Sequence, residues 1–151
     1  MTINEEIILL PDFLDFKVYP LTEFDKSQFK GKNLQKTLLF LGKNSQSEKQ
    51  IQFLEKIISA IKFDLLEDTL IYNINQDQPV GFNTICQNYE IEKVIFFDVT
   101  PQSLGLHLQI PKYQPTNWSN FKLLYADSLS KISVDQRLKG NLWNALKAMF
   151  L

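Results

Sequence analysis

Thr37-Leu38-Leu39-Phe40-Leu41 is a continuous apolar run that stops at Gly42. A run without polar alternation fits a strand buried on both faces, as in a parallel sheet covered by helices. That segment alone calls for a layered fold, because each of its faces must find an apolar partner. The residues that follow suit this need. Gly42-Lys43-Asn44-Ser45-Gln46-Ser47 reads as a loop. Ser45 or Ser47 can cap the next helix, with Glu48 in its first turn. Ile51, Leu54, Ile58 and Ile61 then recur at helical spacing, and Phe53 and Ile57 widen the stripe.

The alternation continues along the chain. Thr69–Ile74 reads as a second strand, Asn75–Pro79 as a loop and residues 81–90 as a short helix around Phe82, Ile85 and Tyr89. Lys93–Val99 is the most β-prone stretch. Thr100-Pro101 then starts a helical turn. Ile110–Asn120 reads as a loop, Phe121–Tyr125 as a fourth strand, and Val134–Phe150 as a final helix. The buried stripe of that helix is Val134, Leu138, Leu142, Ala145, Leu146 and Met149. Strands alternating with helices imply βαβ crossovers. The expected fold is therefore α/β, a three-layer α/β/α sandwich with a mainly parallel four-stranded sheet. Residues 1–36 form an N-terminal arm and entry segment, and residues 37–151 a single α/β domain.

Composition narrows the classes of function. With 151 residues the chain buries enough surface to need no disulfide staple. Its single cysteine, Cys86, allows no intrachain disulfide, and its single histidine, His107, allows no multi-histidine metal site. No metal and no cofactor are expected. Sixteen basic residues against 17 acidic ones produce no global field for phosphate backbones or anionic membranes. Direct nucleic-acid contact is expected to be weak or indirect. A Lys-rich strip at Lys26, Lys30, Lys32 and Lys36 reads as a solvated face. No signal peptide and no run approaching ~18 apolar residues is seen, so a cytoplasmic protein without membrane contact is expected.

In open α/β sheets, ligands bind beyond the carboxyl ends of the strands. Three such ends carry polar residues: Gly42, Lys43 and Asn44 after the first strand, Asn73 at the second, and Asp127 and Ser128 after the fourth. These six are the ligand-pocket candidates. The first is no phosphate-binding P-loop, because its glycine and lysine spacing is absent. No nucleophile elbow accompanies His107, which sits in the Leu-rich stretch Leu104–Ile110. Cys86 has no basic neighbour close in sequence and reads as a passive, partly buried thiol.

The order of segments resembles the uracil-DNA glycosylase superfamily. Phe40-Leu41-Gly42-Lys43-Asn44-Ser45 is similar to its first motif, and Asn73 falls where the family's asparagine recognises uracil. The enzymes end on a histidine–proline–serine turn that leads to a helix with a K-R-x-x-W pattern. Here that turn reads Tyr125-Ala126-Asp127-Ser128-Leu129, and the helix holds Leu138-Lys139-Gly140-Asn141-Leu142-Trp143. Lys43 replaces the acid of the first motif, and the histidine is missing. Base excision needs a flipped base, a positioned water and stabilisation of charge on the departing base. The resemblance therefore implies a member with no catalytic residue.

Ala126–Ile132, with Asp135, Lys139 and Leu142–Leu146, further resembles the psi-subunit family of bacterial DNA polymerase III, adaptors that share the glycosylase fold and lack its active site. That resemblance implies a protein partner of clamp-loader type. It makes residues 3–16 the candidate docking arm, with Ile7, Ile8, Leu9, Leu10, Phe13 and Phe16 as anchors. The competing expectation is a divergent glycosylase-like hydrolase, or a nucleobase- or nucleotide-binding domain, that uses Gly42, Asn44, Asn73 and Ser128.

Overall fold

A computed structural model describes residues 28–74 and 80–151. The apolar segment Ile7–Phe16, Lys26 and the loop Asn75–Pro79 lie outside the described residues. Within them the chain is α/β, with helices on both sides of one mixed sheet. Its strands are β1 (Phe29–Lys30), β2 (Thr37–Leu41), β3 (Thr69–Asn73), β4 (Lys93–Phe97), β5 (Thr116–Trp118) and β6 (Phe121–Ala126). The spatial order is β1-β3-β2-β4-β6-β5.

The expectation of a four-stranded sheet is corrected here: among the described residues the sheet has six strands and is mixed. The inner strands β3, β2, β4 and β6 run parallel to their neighbours. At the two edges, β1 pairs antiparallel with β3 and β5 pairs antiparallel with β6. The edge strands carry no apolar run. Two or three residues long and half exposed, they owe their pairing to the template beside them rather than to their own pattern. Thr116–Trp118 lies inside the stretch read as a loop.

Each inner strand feeds two cores. Leu39, Leu41, Ile71, Ile95, Phe97 and Leu124 face helices α1 (Glu48–Ala60), α4 (Leu129–Ser133) and α5 (Gln136–Phe150), and meet Leu54, Ile58, Leu142 and Leu146 there. Leu38, Phe40, Leu70, Tyr72, Val94 and Phe96 face the other way, onto α3 (Phe82–Asn88) and a 3-10 turn at Pro101–Leu104. The short helix α2 (Leu65–Asp68), capped by Asp64, leads into β3. Leu38 to Leu41 are fully buried, as a strand covered on both faces must be. Phe40 stacks on Phe96 across β2 and β4, with ring centroids 5.2 Å apart.

The C-terminal helix also departs from expectation. It starts at Gln136 rather than Val134, and a separate short helix, α4, precedes it; Val134 belongs to no buried stripe, because it closes α4 and is 84% exposed. Asp135 interrupts the helical path by accepting hydrogen bonds from the Arg137 and Leu138 amides as the N-cap of α5. Leu138, Leu142, Ala145, Leu146 and Met149 are buried as expected.

Candidate functional site

The strand register gathers the candidate residues at one edge of the sheet. Leu41 is aligned with both Asn73 and Phe97, and Phe97 with Ala126. Gly42, Asn73 and Asp127 therefore emerge together at the carboxyl ends of the parallel strands. The chain runs from β2 outward to β3 and then returns across to β4, which makes the β2–β4 boundary the topological switch point.

That boundary is tightly closed by backbone. The Gly42 amide donates to the Phe97 carbonyl at 3.0 Å. A Cβ on Gly42 would stand 2.8 Å from the Asp98 carbonyl oxygen, so only glycine fits there without movement. Asp98 has φ of 61°, and its amide turns to the Ala126 carbonyl at 3.1 Å. Lys43 and Asn44 project into solvent from the 3-10 turn that follows.

Ser45 and Gln46 do the joining at this edge. Ser47, not Ser45, caps α1, in a reciprocal capping box with Gln50. Ser45 is fully buried, and its Oγ accepts the Leu129 amide at 2.9 Å, tying the β2 loop to the start of α4. Gln46 Nε2 donates to the carbonyls of Leu41 and Ile74, each at 2.9 Å, and so ties the ends of β2 and β3. Asn73 Oδ1 is buried close by on the α1 side of β3 and accepts no hydrogen bond. A buried acceptor without a donor calls for an explanation such as a water or a ligand.

Asp127 anchors the third strand end. Lys112 Nζ lies 2.6 Å from its Oδ1, the Tyr113 hydroxyl donates to its Oδ2 at 2.7 Å, and Lys131 Nζ stands 3.7 Å away. Burial alone would raise this carboxyl, but the hydrogen bonds from Lys112 and Tyr113 and the two ammonium charges hold it below the usual carboxylate range. Lys112 is raised in turn, chiefly by its hydrogen bond to Asp127. Burial, then the Asp127 hydrogen bond, pushes the Tyr113 hydroxyl well above the ordinary tyrosine range. Ser128 caps α4 by accepting the Lys131 amide.

Neither Lys112 nor Tyr113 stood out in the sequence. They lie 15 and 14 residues from Asp127 in an irregular stretch, which a bridge between Lys112 and Tyr125, with the Tyr113 amide bound to the Tyr125 carbonyl, brings alongside β6. His107 is exposed, in a loop anchored by the buried Leu106 and Ile110. Burial lifts the Cys86 thiol to about 11, leaving it protonated at neutral pH, as suits a passive thiol. Of the Lys-rich strip, Lys32 pairs with Glu67 at 3.3 Å, and Lys36 with Glu90 and Glu92 at 3.7 and 3.6 Å.

The class that these features define is an α/β domain with helices on both sides of a mixed six-stranded sheet and a polar constellation at the carboxyl edge of its parallel strands. No protein-family model matches the chain, and no curated protein is significantly similar to it. Among the described residues no helix is long and apolar enough to cross a membrane.

Proposed function

We propose that this protein is a non-catalytic protein-binding adaptor that uses a uracil-DNA glycosylase-like scaffold in the manner of the psi-subunit family. One observation carries the proposal. At the turn where the enzymes hold a proton-donating histidine, this chain has Asp127, an anion already held by Lys112, Tyr113 and Lys131. A carboxylate so held donates no proton to a departing base, and its charge opposes the anion that base would become. The closed Gly42–Asp98 boundary supports the same view, because a flipped base needs an open pocket there. The docking element is residues 3–16, with Ile7, Ile8, Leu9, Leu10, Phe13 and Phe16 as anchors, and the partner is of clamp-loader type.

Capture with purified clamp-loader subunits, with and without residues 1–16, tests the adaptor. Capture that depends on the segment is expected. Capture that survives the deletion removes the arm from the proposal, and absence of capture by the full chain overturns it.

One feature favours a second reading, a nucleobase pocket: the unpartnered buried Oδ1 of Asn73 at the edge where the glycosylases read uracil. Uracil-containing single-stranded DNA distinguishes the two. No uracil release is expected; release that disappears in Asn73→Ala would establish the enzyme.

A further inference from the structure

Several lysines of this domain have their counter-charge built in. Lys32, Lys36, Lys112 and Lys131 each form an ion pair with a carboxylate. The outer face of α1 and α5 differs. Among the described residues no carboxylate pairs with Lys49, Lys56, Lys139 or Lys147. Helix α5 carries Arg137, Lys139 and Lys147 and no acid between Gln136 and Phe150.

The same face is hollow. α1 and α5 run in the same direction, with Phe53 beside Lys139 at one end and Phe63 edge-on to Phe150 at the other, 5.3 Å between ring centres. Between them lies an apolar cavity of about 230 Å³, with the buried Leu142 and Leu146 as its floor and Phe53, Ile57 and Trp143 as its walls. Trp143 is 36% exposed there. A second hollow shares Phe53 and Lys56 and continues the trough to Lys49 and the exposed Val134. Lys49, Lys56 and Lys139 rim it, while Glu48 and Glu55, the two acids of α1, line neither hollow. From Lys49 to Ala60 the trough follows α1 for about 16 Å.

We propose that this α1–α5 trough is a docking site for an acidic amphipathic helix of another protein, about three turns long. The helix seats aliphatic side chains on Phe53, Ile57 and Trp143 and sets its carboxylates against Lys56 and Lys139. Backbone and charge both select that occupant. The amides of α1 and α5 are bonded within their own helices, so the trough offers no strand edge, and an extended peptide would bury unpaired amides there. A helix arrives with its amides paired and presents anchors at i, i+4 and i+7. Carboxylates beside those anchors supply the counter-charge that the rim lacks. A second copy of this chain is disfavoured, because a symmetric contact would bring ammonium groups face to face. Nucleic acid is disfavoured too. Lys139 Nζ stands 5.9 Å from the centre of the Phe53 ring and Lys147 Nζ 5.8 Å from that of Trp143, so an ammonium already lies over each ring where a base would stack. The site goes beyond the adaptor reading: its readout needs neither residues 1–16 nor a clamp-loader subunit, so either proposal can fail alone.

The test uses the full chain and a capped helical peptide of alanine and glutamate, about three turns long, with leucines along one face. A control peptide carries lysine for each glutamate. A Trp118→Phe background leaves Trp143 as the reporter, and calorimetry on the unchanged chain repeats the measurement. The acidic peptide is expected to bind and to blue-shift Trp143, and the basic peptide is expected not to bind. Lys56→Glu/Lys139→Glu should weaken the acidic peptide roughly tenfold or more and let the basic peptide bind, which also shows that the variant is folded. An acidic peptide that fails to bind, or that binds the parent and the charge-reversed variant equally, overturns the proposal. So does a different occupant. Trp143 shielded by phosphatidylserine vesicles or by single-stranded oligo-dT, but not by the peptide, assigns the trough to a membrane or to nucleic acid. Shielding of Trp143 that fades on dilution of the chain alone assigns it to a second copy.

Discussion

Asp127 shows how one side chain can be diverted from chemistry to architecture. Its carboxylate joins the end of β6 to the Lys112–Tyr113 stretch. Asp127→Asn should cost about 1–3 kcal/mol at neutral pH, because the Lys112 ammonium and the Tyr113 hydroxyl lose a charged acceptor. The pH dependence follows from the lowered folded-state carboxyl. Such a group stabilises the fold fully above its ordinary value near ~3.9, and its contribution fades as pH falls through the lower folded-state value. The deficit of the asparagine variant should therefore be largest at neutral pH and shrink below about pH 4. Urea unfolding of both proteins at pH 7 and pH 3 measures it, and a deficit that is unchanged or larger at pH 3 contradicts the assignment. In the sequence Asp127 was recognisable only as a polar residue after a strand, since nothing local announces partners 14 and 15 residues away.

Elements meet at this edge through a few fixed contacts. Ser45→Ala should leave the Leu129 amide buried without an acceptor and cost about 1–3 kcal/mol, freeing the β2 loop from α4. Gly42→Ala should cost a similar ~1–3 kcal/mol for a different reason, because the new methyl meets a carbonyl oxygen rather than a yielding side chain. Thermal unfolding of the two variants checks both values, and hydrogen exchange should show the Leu129 amide loosened in Ser45→Ala. The apolar runs of β2, β3 and β4, the α1 stripe and the interior of α5 were all readable from pattern, because burial on both strand faces or along one helical face leaves a periodic trace. The break at Val134–Asp135 escapes the pattern, although Asp135 is a good N-cap residue just before Leu138, the first residue of the α5 stripe. The helical period hid it, since Val134 and Leu138 are four residues apart.

For the whole molecule, the sheet is the shared wall of two cores, so the domain should unfold as one cooperative unit. Trp118 packs with Phe121 and Phe82 on the α3 side, and Trp143 lies on α5. Denaturation curves of Trp118→Phe and Trp143→Phe, each reporting its remaining indole, should keep one shape, each as a single transition with the same dependence on urea. Layers that melt separately would give two different slopes. The residues alone are enough to show an α/β chain, the course of its inner strands and longer helices, and that Gly42 and Asp127 come just after strands and Asn73 near the end of one, because each rests on a local period or a chain break. The strand order, the added edge strands and the pairing of Asp127 with Lys112 and Tyr113 come from the folded arrangement. Those depend on which distant segments come to lie side by side, and a contact between distant segments leaves no period in the residues that make it.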